Sequence, residues 1–267
     1  MPKEAIAERH CLPLVELSGL ATRPTGDGIE LLAIGDKDNT LVRGLWKDHT
    51  LSAVQATRPT LPGTGQWEAI ATDVNGCVYL LRESPPTIVV MSAELDRTVA
   101  EFALEGGEEL SGWAQEENSR GEGLLVLSNG HFLIAKEKEP PMFVEFGPAT
   151  DRAQGLTLAL LEDAPALQPR GTLVPLAVWA VEESIATDIS DLAVYGEAVF
   201  ALSDDSRVLL EFELPVPDKP LVLRTRVKLP KEVENPEGLV FIEGCPVVGI
   251  DQKKKGEPNL FVFEPQR

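Results

Sequence analysis

The chain has 267 residues, 43% hydrophobic and 25% charged, the composition of a globular protein large enough to bury a sizeable core. Its 43 acidic and 24 basic residues give a formal charge of −19. Such a surface repels phosphate backbones and anionic lipid, so neither nucleic acid nor a membrane is expected as a partner.

No stretch of eighteen apolar residues exists to span a bilayer. The first ten residues lack the apolar segment of a signal peptide, so a cytoplasmic location is expected. Cys11, Cys77 and Cys245 are odd in number and lack metal-type spacing, and they read as small apolar strand residues. His10, His49 and His131 match no repeat position and read as surface or hydrogen-bonded loop residues.

In chain order, the sequence repeats itself. The first unit opens on Ser18-Gly19-Leu20 and continues with an aliphatic run that ends in Asp36. The second opens on Glu68-Ala69-Ile70, turns at Asn75-Gly76 and runs from 78 into Glu83. Further apolar runs follow at 87–90 and 98–104. The third opens on Glu122-Gly123-Leu124, turns at Asn129-Gly130, runs from 132 into Glu137 and adds a run at 142–146. A long stretch, 150–183, then predicts an enlarged outer strand or an insertion. The fourth unit opens on Ser190-Asp191-Leu192 and runs from 199 into Asp204, with later runs at 208–212 and 221–227. The fifth opens on Glu237-Gly238-Leu239, runs from 247 into Asp251 and ends with 260–263.

The opening phrases recur at intervals of 47 to 68 residues. The runs are four to six residues long, rich in Val, Leu, Ile and Phe, and bounded by turn residues. Asn-Gly between two such runs predicts a hairpin in which both turn positions take positive φ. Short antiparallel units that cannot each bury their faces alone pack radially, so the expected fold is all-β: a single β-propeller domain over 1–267. The direct count is five four-stranded blades, with six open if the long third interval hides a degenerate unit.

In such a blade the innermost strand starts, and the second strand ends, at the same face of the disc. Two series of residues are therefore expected at one axial mouth. The first is Ser18, Glu68, Glu122, Ser190 and Glu237, with Glu16, Asp188 and Asp191 beside them. The second is Asp36, Glu83, Glu137, Asp204 and Asp251. Crowded carboxylates raise one another's pKa values unless a cation intervenes. Oxygen ligands suit Ca²⁺ or Mg²⁺ rather than zinc. The expected metal ligands are Glu16, Glu68, Glu122, Asp188 and Glu237, with the other residues of both series as a ligand-binding rim. Any one of these glutamates could instead cap a strand edge. Lys37, Arg82 and Lys136 flank the second series, so a cation together with basic side chains could hold a small anionic ligand.

Two functions fit this arrangement. One is a non-catalytic protein that binds a small ligand or a protein partner, since no Gly-x-Ser-x-Gly elbow is present. The alternative is a metal-dependent phosphoester or ester hydrolase, with Glu68, Glu122 and Glu237 as ligands and Glu83 or Glu137 as base.

Five segments carry a family resemblance: Glu16-Leu17-Ser18-Gly19-Leu20, Trp67-Glu68-Ala69-Ile70-Ala71, Gly121-Glu122-Gly123-Leu124, Asp188-Ile189-Ser190-Asp191-Leu192 and Pro236-Glu237-Gly238-Leu239. In these, from about residue 12 onward, the chain resembles the SdiA-regulated family of β-propellers and, more distantly, esterase-like phytase domains. The resemblance implies a propeller with a calcium-type site on its axis, in a family without a settled activity whose members usually look exported.

Overall fold

The computed structural model describes residues 5–63, 65–107, 110, 113 and 121–265. The first strand, β1 (Ile6–His10), precedes the repeats. The first set of four is β2 (Leu17–Thr25), β3 (Gly28–Gly35), β4 (Leu41–Lys47) and β5 (Thr50–Thr57). The second is β6 (Trp67–Thr72), β7 (Val78–Arg82), β8 (Thr87–Met91) and β9 (Thr98–Leu104). The third is β10 (Gly121–Val126), β11 (Phe132–Lys136), β12 (Met142–Gly147) and β13 (Arg170–Ala180). The fourth is β14 (Asp191–Tyr195), β15 (Ala198–Ser203), β16 (Val208–Phe212) and β17 (Leu223–Lys228). Last come β18 (Pro236–Ile242), β19 (Cys245–Ile250) and β20 (Leu260–Phe263).

Within each set, consecutive strands pair antiparallel. The last set lacks a fourth strand of its own, and β1 supplies it by pairing antiparallel with β20. The two ends of the chain thus meet in one sheet, which covers the exposed edge of β20. The long stretch after β12 holds a 3₁₀ turn (Leu158–Leu161) and the eleven-residue β13. That enlarged outer strand pairs in parallel with β9 through Arg170–Leu173, joining the second and third sets into one eight-stranded sheet.

The opening phrases lie at the starts of β2, β6, β10, β14 and β18. These inner strands form a closed ring: β2 packs on β6, β6 on β10, β10 on β14, β14 on β18 and β18 on β2. The core follows from that ring. Each apolar cluster lies between two neighbouring sets, as with Tyr79, Phe102, Phe132 and Phe146 between the second and third. Phe143, Trp179 and Phe212 fill the next gap, and Leu17, Trp46 and Val262 fill the one between the first and last. With few aromatics available, burial of Val, Leu and Ile at about 25 cal/mol per Å² is what holds the sets together.

Two local expectations are corrected. Only Gly76 and Gly130 of the Asn-Gly pairs take positive φ (79° and 86°), whereas neither asparagine does. Asp73 shapes the first of these turns by accepting the amides of Asn75 and Cys77 at 2.9 and 3.0 Å, so one left-handed residue suffices. Cys11, which is exposed, and Cys77 lie outside the strands, Cys245 opens β19, and all three cysteines are free. His131 is a hydrogen-bonded loop residue, as expected, buried between Glu145 (2.7 Å) and Asp151 (3.2 Å).

Candidate functional site: an acidic well on the axis

A register slip at the mouth of the ring recurs in four of the sets. Between β2 and β3, β6 and β7, β10 and β11, and β18 and β19, one residue of the inner strand is left over. The skipped residues are Ser18, Glu68, Glu122 and Glu237. A β-bulge re-aims the extra side chain, here toward the axis. The residue after the bulge is small because the next inner strand comes very close. A Cβ on Gly123 would sit 2.7 Å from the amide nitrogen of Leu192, and one on Gly238 would lie 3.1 Å from that of Leu20. The recurring Glu-Gly-aliphatic phrase is thus a bulge, a close approach and a core residue in succession.

The second series is fixed from the other side. The amides of Asp36, Glu83 and Asp251 donate to the carbonyls of Glu16, Gln66 and Asn235 at 3.0, 2.9 and 2.9 Å. All three acceptors have positive φ (52°, 60° and 48°). In the fourth set a side chain takes over. The Asp188 carboxylate accepts Ser203 Oγ at 2.5 Å and the amides of Asp204 and Asp205 at 2.8 and 3.2 Å.

These elements enclose a well of about 350 Å³ at the axial mouth. Of the expected residues it is lined by Glu16, Ser18, Asp36, Glu68, Glu122, Glu137, Asp188, Ser190, Asp204, Glu237 and Asp251. Ten carboxyl groups line it against three lysines. Those lysines are already engaged at the rim: Lys37 pairs with Glu16, Lys138 with Glu137 at 2.8 Å, and Lys253 with Asp251 at 3.8 Å. Deeper in, no hydrogen-bond partner is found among the described residues for the carboxylates of Glu68, Glu122 or Glu237. Oδ1 of Asp251 is also buried without a partner among the described residues.

The electrostatics follow from that crowding. Burial, then Asp36, Glu83 and Glu137, pushes the Glu68 carboxyl up to about 8. Burial, followed by the like charges of Glu68 and Glu237, holds Glu122 well above the ordinary carboxylate range. Glu237 is raised in the same way by burial, Asp204 and Glu68. Asp204 rises to about 6 through burial and the charges of Asp188 and Asp205. Asp36, Glu137 and Asp251 are also raised, burial again being the largest cause.

Four expected rim residues do not line the well. Arg82 and Lys136 each precede a second-series acid by one residue, and strand alternation turns them to the other side. Arg82 donates to the Pro62 carbonyl at 2.8 Å and lies 5.8 Å from the Trp67 ring, while buried Lys136 donates to the carbonyl of Lys138. Glu83 is buried behind the well, near enough for its charge to act on Glu68 and Glu122. Asp191 occupies the position that is Gly or Ala in the other sets. Its carboxylate accepts the amides of Leu192 and Leu239 at 2.7 and 2.6 Å, tying two inner strands together. Lys138, Lys253 and Asp205 line the well without having been expected. A lysine one or two residues after the second-series acid, as in Asp36-Lys37 and Glu137-Lys138, was the available signal. Among the described residues, no three His, Cys, Asp or Glu side chains are already grouped to hold a metal ion.

A closed ring of antiparallel sheets around a polar axial mouth defines the chain as a β-propeller. Its sequence matches the SdiA-regulated family over residues 15–263, and the chain belongs to that family. No curated protein matches it. Among solved structures it is similar to the PQQ-bound aldose sugar dehydrogenase of Streptomyces coelicolor, at 13% identity and a TM-score of 0.54, covering 98% of each chain. It is also similar to the glutaminyl cyclase of Myxococcus xanthus, at 12% identity and a TM-score of 0.60, covering 97% of this chain and 95% of that one. At such identities the likeness is one of fold alone.

Proposed function

We propose that this chain is a binding protein whose axial well captures a cation, Ca²⁺ and Mg²⁺ being the inorganic candidates. The observation that carries the reading is Glu122, 9% exposed and lining the well with no hydrogen-bond donor beside it among the described residues. A buried carboxylate without a donor or counter-charge must either hold a proton or recruit a positive charge. Glu68 and Glu237 are half-buried in the same well, likewise without a donor among the described residues, and all three offer the hard oxygens that such ions take. An anionic ligand is a poorer fit, because Arg82 and Lys136 point elsewhere and the three lining lysines are paired with lining acids. The test is thermal melting at pH 8 with Ca²⁺ or Mg²⁺ added. Wild type should gain several degrees at millimolar ion, and Glu122→Gln should lose most of that gain. Identical responses of the two proteins would overturn the reading.

A further inference from the structure

Resting on that reading of the well as a cation site, we infer that its fitted occupant is a small linear polyamine rather than a single bare ion. The first argument is size. About 350 Å³ lies within the range of small-molecule pockets, roughly 300–1,000 Å³, and a lone ion would leave most of it to water.

The second argument is the spread of charge. Glu68 feels Asp36, Glu83 and Glu137, and Glu237 feels Asp204, Glu68, Glu137 and Asp251. The negative charge is thus spread across the well rather than gathered at one point, with Asp36 acting on Glu68, Asp204 and Asp251 acting on Glu237, and Glu122 feeling both glutamates. No three of them are already drawn together as a metal-ligand set among the described residues. Two ammonium groups joined by a short methylene chain match that spread, and buried Leu17 in the lining offers the chain an apolar contact.

The third argument is what the protein already does at the rim. Two of its upper acids are paired with primary ammonium groups of its own, Glu137 with Lys138 at 2.8 Å and Asp251, more loosely, with Lys253 at 3.8 Å. The deep glutamates have no such partner among the described residues. An ammonium ion brings three N–H donors, which is what donorless carboxylates lack, and a ligand amine would repeat at depth the pairing seen at the mouth.

The experiment measures binding to the whole chain by calorimetry at pH 7.5 and about 150 mM salt. The titrants are spermidine, 1,4-diaminobutane, n-butylamine, CaCl₂ and a short oligolysine peptide. Spermidine and the diamine should bind at least tenfold more tightly than butylamine and more tightly than Ca²⁺. Glu68→Gln and Glu122→Gln should each weaken spermidine at least tenfold. A double variant of exposed acids away from the well, Glu94→Gln with Glu162→Gln, should leave it unchanged. Folding of each variant is checked by its melting transition. Glu122-dependent Ca²⁺ binding with spermidine no better than butylamine would overturn the polyamine inference and leave the cation reading standing. So would binding of the peptide but not of free amines. Spermidine binding equally reduced by the surface variant would mark it as charge screening and overturn the inference. Failure of every titrant would remove the cation reading itself.

Discussion

Replacing Glu68 by Gln should make the ligand-free protein more stable, and only at neutral to alkaline pH. In the unfolded chain this carboxyl ionises near 4.5, whereas in the well it is pushed up to about 8. The sign follows directly. Below the unfolded value both states carry the proton, and the site imposes no penalty. As pH rises from there through the folded value, the unfolded chain releases its proton while the well resists, so stability is progressively lost. Each pKa unit is worth about 1.4 kcal/mol, which sets a ceiling of about 5 kcal/mol above pH 8. Glu122 and Glu237 share the same crowding, and removing one charge lets the others ionise more easily, so the realised gain is smaller, about 1–2 kcal/mol. In a chain of this size that is roughly 3–6 °C in melting temperature. Melting both proteins in metal-free buffer from pH 4 to pH 9 reads it out. The difference should be near zero at pH 4 and should open as the pH rises. A Gln variant that is less stable than wild type at pH 8, or stabilised equally at pH 4, would refute the claim that desolvation and like charge govern the well.

Other carboxylates should behave in the opposite way. Asp191→Ala strips a partner from the amides of Leu192 and Leu239, and at 1–3 kcal/mol per orphaned amide should cost about 3 kcal/mol in urea unfolding. A loss under about 1 kcal/mol would show that the two inner strands do not depend on it. His131 meets a carboxylate on each ring nitrogen, which only the imidazolium can serve as donor to both. Its folded pKa is raised above 6.5, with Glu145 and Asp151 outweighing burial. The contribution is therefore fully present below 6.5 and lost as pH rises through the folded value. His131→Gln should cost about 3 kcal/mol at pH 6 and clearly less at pH 9, and a pH-independent loss would contradict the ion-pair account.

The ring of acids was legible in the sequence because it belongs to the repeat. Two phrases at fixed lag, one opening the inner strand and one closing the second, must fall at the same face whatever else the chain does. Residues within a phrase were harder to assign. Arg82 and Lys136 looked equivalent to Lys37 by proximity to an acid, yet one step along a strand reverses the side chain's direction. Asp191 looked like one more acid of the ring. Its place in the phrase, where other units have Gly or Ala, was visible, but only the close approach of β18 to β14 reveals that it reaches a neighbouring backbone. His131 carried no repeat signal at all, because its partners, Glu145 and Asp151, come together through a single loop.

The protein contains its own control for the meaning of the well. Elsewhere it buries carboxylates and satisfies them fully. Glu30 lies between Arg23 and Arg43 at 2.6 Å each, and Glu145 binds His131 and the amides of Gln154 and Gly155. Asp188 closes a turn through a hydroxyl and two amides. The chain is thus well able to supply donors to a buried acid, and near the axis it does so for Asp188 and Asp191. At the bulges it does not: Glu68, Glu122 and Glu237 are aimed into one space, desolvated, and given each other as neighbours. A buried acid that merely holds the fold together is completed by the fold. Three that the described residues leave incomplete, at equivalent positions of three inner strands, are the groups that the proposed cation would complete.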